Sequence, residues 1–246
     1  MIFTIALREL KTLFISPLAW AVLAVVQVVL AFMFLAHIEE YLLLQPQLLT
    51  IDNAPGVTEL VVGRLFGSAA IVLLLVVPLL TMRLISDERR NRTLSLLFSA
   101  PISMTEIVTG KFLGCISFLV LLLLLITLMP LSLLVGANLD TGIILSGLLG
   151  LTLLLAGFVA VGLFMSTLTQ YPAVAAISTF GVLLLFWLLD WSGDENNWLG
   201  QLSLMNHYEP FLRGLFDSAD AAFHILFIVT FLVLSVRRLD ADRLGS

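Results

Sequence analysis

The residues of this chain that could do acid–base or metal chemistry are few, and most stand apart. His37, His207 and His224 lack the HExxH or Cys/His spacing that brings ligands to one metal. Cys115 is the only cysteine, so neither a disulfide nor a cysteine metal cluster can form within the chain. No GxxxxGK[ST] loop is present to cradle nucleotide phosphates. These patterns predict no catalytic residue, no metal ligand and no cofactor held by this chain.

Charge does gather in one place, the stretch SDERRNRTLSLLFSAPISMTEIVTGK from Ser86 to Lys111. It reads as two helices punctuated at Pro101. Ser86 is a fitting N-cap, with Asp87 and Glu88 in the first turn where the helix dipole favours anions. The predicted helix covers about 87–99, with Leu94, Leu97 and Phe98 on one face and Arg89, Arg90 and Arg92 on the wet side. After Pro101, the run Ser103-Met104-Thr105-Glu106 fits a capping box, in which Ser103 and Glu106 reciprocally satisfy exposed amide donors and start the next helix.

The elements that must position this stretch are membrane helices. Hydrophobic residues make up 60% of the 246-residue chain and charged residues 12%, more apolar surface than a soluble core could hide. Continuously apolar windows at about 17–36, 61–83, 108–137, 142–167, 172–189 and 220–237 are each long enough to cross about 30 Å of hydrocarbon at about 1.5 Å per residue. They lack the alternation of barrel strands, and the first is too long for the apolar core of a signal peptide. The sixth, whose apolar core runs only from Ala221 to Val236, is the shortest. The expected fold is an all-α integral membrane protein of six transmembrane helices in a single domain, 1–246, with an interfacial helix over 1–16 and an outer loop over 190–219.

Orientation follows from the basic residues. With both termini inside, Arg8, Lys11, Arg83, Arg89, Arg90, Arg92, Lys111, Arg237, Arg238 and Arg243 are cytoplasmic, leaving Arg64 and Arg213 outside. Most carboxylates fall outside, so the net charge of −5 belongs to the outer face and argues against nucleic acid as a partner. Charges keep to the window ends, unlike the midplane ionisable residues of ion-driven transporters. Gly147, Gly150, Gly157 and Gly162 on the fourth window permit close helix approach. Pro78 and Pro130 predict local bends.

The order Asp87-Glu88-Arg89, Thr93-Leu94, Leu96-Leu97, Pro101-Ile102-Ser103, Glu106-Ile107 and Gly110-Lys111 resembles the signature of type-two ABC exporter permeases. The amino-terminal IALRELKTLFISPLAW, with Phe3, Leu7, Leu10 and Phe14 as its apolar stripe, is similar to the corresponding stretch of the gliding-motility and copper-maturation branches, as is NHYEPFLRGLFD, Asn206 to Asp217, before the last window. The resemblance implies that the 87–99 helix is a coupling helix docking on a cytoplasmic ATPase, with Asp87, Glu88, Arg89, Arg92, Thr93, Leu94, Leu97 and Pro101 at the contact. It implies ATP and Mg on that partner, and a second permease copy or homologous permease completing the translocation unit. It further implies residence in the bacterial cytoplasmic (inner) membrane. His207, Glu209, Phe211 and Arg213 then lie in an outer gate, or in a loop for a periplasmic or membrane accessory protein. An interfacial anchor accounts for the outer loop equally well.

The sequence thus points to a permease subunit through which a separate ATPase drives export of an unidentified substrate, or force transfer across the membrane. The apolar windows suit lipid-linked, amphiphilic or hydrophobic cargo. Two alternatives stay open: an ATPase-independent membrane scaffold, and an ion-driven secondary transporter.

Overall fold

The computed structural model describes residues 1–48, 55–93, 102–135, 139–189 and 200–244, and every element among them is helical. Helix α1 (Ile2–Ile15) is followed by α2 (Pro17–Leu48), then by a π-helical turn (Thr58–Gly63) that runs into α3 (Arg64–Thr81). A short α4 (Ser86–Arg90) precedes α5 (Met104–Leu131), α6 (Thr141–Leu168), α7 (Pro172–Leu188), α8 (Glu209–Leu212) and α9 (Ser218–Leu244).

The break between α1 and α2 has a local cause. Pro17 disfavours the helical region for the residue before it, and Ser16 is accordingly extended, with ψ 129°. The Ser16 hydroxyl oxygen accepts from the Leu18 amide at 3.3 Å, and Pro17 occupies the first helical position, where its missing donor costs nothing. Trp20 donates its indole N–H to the Phe14 carbonyl at 2.9 Å, bracing the corner.

The predicted stripe on α1 divides between two surroundings. Leu10 and Phe14 pack on the core, with Phe14 edge-on to Phe118 at 5.5 Å, whereas Phe3 and Leu7 are exposed. The buried side of α1 lies directly on the start of α5. A Cβ on Gly114 would stand 2.7 Å from Glu9 Cβ and 2.9 Å from the Ala6 carbonyl oxygen, so only glycine lets the two helices approach this closely.

Among the described residues, five helical stretches are long and apolar enough to cross a membrane: Pro17–Gln47, Thr58–Arg90, Met104–Leu134, Thr141–Leu168 and Ser218–Leu244. The expected ranking of the last two windows is reversed. α9 continues through the charged turn Arg237–Arg243 for 27 residues in all, and α7 is the short apolar helix at 17 residues. At about 1.5 Å per residue α7 covers roughly 26 Å, slightly less than a hydrocarbon core of about 30 Å. α2 also exceeds its predicted window, continuing as helix to Leu48.

The spine of the bundle is α6, whose apolar window is 67% buried. Its amino end is capped by Asp140, which accepts from the Gly142 amide at 2.8 Å while its own amide donates to the Thr58 hydroxyl at 3.0 Å. α3, α5, α7 and α9 pack around it, with α8 beside its Asp140 end. The predicted glycine series is where neighbours come closest: Phe66 of α3 fills the space at Gly147, Phe211 of α8 at Gly150 and Thr81 of α3 at Gly162.

The tightest of these contacts makes a direct test. A Cβ at Gly162 would stand 2.1 Å from Thr81 Oγ1 and 2.6 Å from Thr81 Cβ, whereas one at Gly181 of α7 would meet nothing within 4 Å. Gly162→Ala is expected to destabilise the detergent-solubilised protein by about 1–3 kcal/mol. Gly181→Ala is expected to be neutral or stabilising by up to about 1 kcal/mol. Thermal unfolding followed by circular dichroism checks both, and equal melting temperatures for the two variants would contradict the packing described.

Candidate functional site

At the end of the bundle where α3 finishes, four helices converge on the five-residue α4. Its start is closed from outside. The amides of Ile85 and Ser86 both donate to the Ser166 hydroxyl oxygen at 3.0 Å, and that hydroxyl donates in turn to the Met82 carbonyl at 3.2 Å. Ser86 is therefore not the N-cap expected from sequence. Ile85 holds the cap position, and the Ser86 hydroxyl turns back to the Met82 carbonyl. Ser166, 80 residues away, takes the amides of the cap residue Ile85 and of Ser86, the first donors at this helix start.

The end of α4 also departs from expectation. The helix closes at Arg90, within the predicted 87–99 span whose part from residue 94 lies outside the described residues: the Thr93 amide donates to the Glu88 carbonyl at 3.0 Å and the Arg92 amide to the Arg89 carbonyl at 3.3 Å. This is the Schellman pattern, with Arg92 at φ 55° in the left-handed position usually given to glycine. Leu94, Leu97 and Pro101 of the predicted contact lie outside the described residues.

Between these closures, Glu88 and Arg89 point into the bundle. Glu88 Oε1 lies 2.8 Å from Lys111 Nζ, and the same ammonium donates to Glu9 Oε2 of α1 at 3.2 Å. Lys111 is only 4% exposed, so its charge depends on these two carboxylates. Arg89 Nη2 donates to the Thr167 carbonyl of α6 at 2.7 Å and to the Asp242 carboxylate near the end of α9. Asp242 is also 3.5 Å from Arg238. One turn of helix is thus tied to α1, α5, α6 and α9. Arg90, Asn91, Arg92 and Thr93 face outward, and Asp87 is partly exposed.

α5 begins next to this cluster with the reciprocal cap: the Glu106 amide donates to Ser103 Oγ at 3.2 Å, and the Ser103 amide to Glu106 Oε2 at 3.1 Å. This fixes the register in which Gly110 and Gly114 meet α1 and Lys111 meets Glu9. Lys111 and Glu9 as an ion-pair hub were missed by sequence reasoning. The signal available was a lysine entering an apolar window beside a close-approach glycine, which calls for a partner acid.

The opposite end holds the residues expected in an outer gate or partner loop, and they do different jobs. Phe211 is fully buried against Gly150. His207 places Nδ1 2.7 Å from Asp220 Oδ1 and Nε2 3.0 Å from the Gln201 carbonyl oxygen, with its ring stacked on Phe223 at 4.0 Å. It thereby ties the loop to α9. Tyr208 is wholly buried, and burial pushes its phenol well above the ordinary value. Glu209 and Arg213 form an exposed pair at 3.3 Å on the rim of a cavity of about 340 Å³ that His207 and Asp220 also line. Among the described residues no group of three His, Cys, Asp or Glu gathers to hold a metal.

Apolar helices of membrane-crossing length, with a charged, tightly tied turn at one end of their bundle, fit a multi-pass membrane protein. The family model for ABC-2 family transporter proteins matches residues 3–241, and the chain belongs to that family. Permeases of this family are the non-catalytic membrane components of ABC transporters and generally work with ATPase subunits. No curated protein matches the chain.

The Lys111 hub yields a stability prediction. Lys111→Met leaves Glu9 and Glu88 facing each other without a cation and is expected to cost about 3–5 kcal/mol. Adding Glu9→Gln and Glu88→Gln should restore most of that loss. Chemical unfolding in detergent checks the series, and a single variant as stable as the parent would show that the pair carries no structural weight.

Proposed function

We propose that this chain is the permease half of an ATP-driven transporter, with both termini cytoplasmic and six spans, α7 included, and that α4 receives the motion of a separate ATPase. The observation that carries this reading is the joining of α4 to four other helices through Glu88, Arg89 and Ser166. A turn joined in this way cannot be pushed without moving α1, α5, α6 and α9, which is what a coupling element requires. In this reading Glu88 and Arg89 transmit force inside the permease. The ATPase contact falls to the outward residues Arg90, Arg92 and Thr93, with Asp87 at the edge and Leu94, Leu97 and Pro101 beyond.

A second permease, the same chain or a homologue, completes the translocation path. The apolar residues exposed along α2 and α9, among them Val25, Val28, Phe32, Ile225, Val229 and Val233, suit a helix partner or lipid. Amphiphilic or apolar cargo fits such a path best. The gliding-motility and copper-maturation likeness favours the variant in which force passes to an outer accessory protein, for which the Glu209–Arg213 rim is the natural contact. ATP and Mg belong to the ATPase subunit.

Co-purification of the permease with the ATPase expressed from a neighbouring gene tests this division of labour. Arg90→Glu combined with Arg92→Glu is expected to reduce ATPase capture at least tenfold. Arg89→Gln should retain capture but lose most permease-dependent stimulation of ATP hydrolysis. Capture unchanged by the double reversal would overturn the assignment of the contact. The absence of any associated ATPase would favour the scaffold, and transport that persists with a hydrolysis-dead ATPase would favour the ion-driven alternative.

A further inference from the structure

A cavity of about 320 Å³ opens between α1, the end of α3, α4 and the start of α5. Three basic residues (Arg8, Arg83, Lys111) and three acidic ones (Glu9, Asp87, Glu88) line it. Their charges are not equally available. Lys111 is already held by both Glu9 and Glu88. Arg8 and Arg83, like Asp87, have no ion-pair partner among the described residues, which leaves an excess of one positive charge among the uncommitted groups. The remaining wall is largely aliphatic, with Leu13, Leu18, Leu79, Leu80 and Leu84.

The level of the cavity relative to a bilayer follows from its surroundings. Leu18 begins α2 and Leu79 and Leu80 end α3, both helices long and apolar enough to span. The exposed Phe3, Leu7, Ile15 and Trp20 on and beside α1 mark where the chain meets the apolar boundary. Arg8 and Arg83 therefore stand at headgroup depth, with leucines leading from them toward the acyl region.

We propose that this cavity is a binding site for the phosphodiester of a membrane glycerophospholipid, drawn from the leaflet in which α1 lies. Its phosphate is held between the guanidiniums of Arg8 and Arg83, and its glycerol and first methylenes lie along Leu18 and Leu79. A phosphodiester monoanion balances the single excess positive charge, and guanidinium groups match its oxygens in geometry as well as charge. Free phosphate offers the same oxygens but nothing to cover the leucines. A bound lipid would fill the space between α1 and α4, the two elements that Lys111 joins. The inference does not depend on ATPase coupling, because it concerns the permease alone.

The test is native mass spectrometry on the full-length chain, stripped of lipid and titrated with phosphatidylglycerol. One lipid per chain is expected on the parent. Arg8→Gln with Arg83→Gln should raise the dissociation constant at least tenfold, and Thr12→Phe, which fills the cavity while keeping both arginines, should do the same. Diacylglycerol with the same chains should not bind, and millimolar inorganic phosphate should not displace the lipid. Two variants that fold as the parent does by circular dichroism and bind lipid equally well would overturn the site. Equal binding of diacylglycerol would remove the phosphate recognition, and displacement by inorganic phosphate would make it a site for the free anion instead.

Discussion

The structure depends first on the placement of Lys111. An ammonium taken almost wholly out of water must be met by carboxylates, and here the two acids come from elements far apart in sequence, Glu9 of α1 and Glu88 of α4. That requirement lays α1 across the start of α5, where Gly110 and Gly114 remove the side chains that would hold it off. It also turns α4 inward, so that the neighbouring Arg89 reaches Thr167 and Asp242. Glu88 Oε2 and Arg89 Nε are buried with no hydrogen-bond partner among the described residues.

The second constraint is the glycine face of α6. In an apolar solvent helices gain little from burying leucine, and close van der Waals contact does the work. Phe66, Phe211 and Thr81 each press into the space a Cβ would occupy on that helix. The same helix carries Ser166 and Thr167, which hold α4, at its far end. Its glycines and its terminal hydroxyl are thus parts of one device: the first fix α6 against α3 and α8, and the second fixes α4 against α6.

What the sequence made legible was whatever depends on near neighbours. The apolar windows, the reciprocal Ser103–Glu106 cap and the small-residue face of α6 are all readable within a few turns. The errors have a different origin. Ser86 looks like a cap because it precedes two acids, but the helix starts one residue earlier, with the Ile85 and Ser86 amides held by Ser166, and no local pattern reveals that. The stop at Arg90 was invisible because Asn91-Arg92 contains neither glycine nor proline, and Arg92 adopts the left-handed conformation regardless. The last helix seemed weak because hydropathy falls across Arg237 to Arg243. Yet that charged turn stays helical, and its Asp242 meets Arg89. The resemblance that highlighted Glu88 and Arg89 could not say whether they face a partner or the fold, and here both are held by residues of the fold.

This last distinction bears on how motion could cross the molecule. α6 is 28 residues long, about 42 Å at a rise of about 1.5 Å per residue, and is packed on several sides. At one end Ser166 and Thr167 bind α4; toward the other, Gly150 receives Phe211, the buried plug of α8. Phe211 sits between His207, tied to α9 through Asp220, and the exposed Glu209–Arg213 pair. A displacement of α4 that shifts α6 along its axis must therefore change how Phe211 seats, because close-packed interiors do not deform smoothly. α9 offers a parallel route, bound to α4 through Asp242 and to the loop before α8 through Asp220. Two rigid helices joining the same pair of ends resist tilting better than one. A displacement at α4 would then reach the opposite end of the bundle as a shift of the α8 loop rather than as diffuse strain through the bundle.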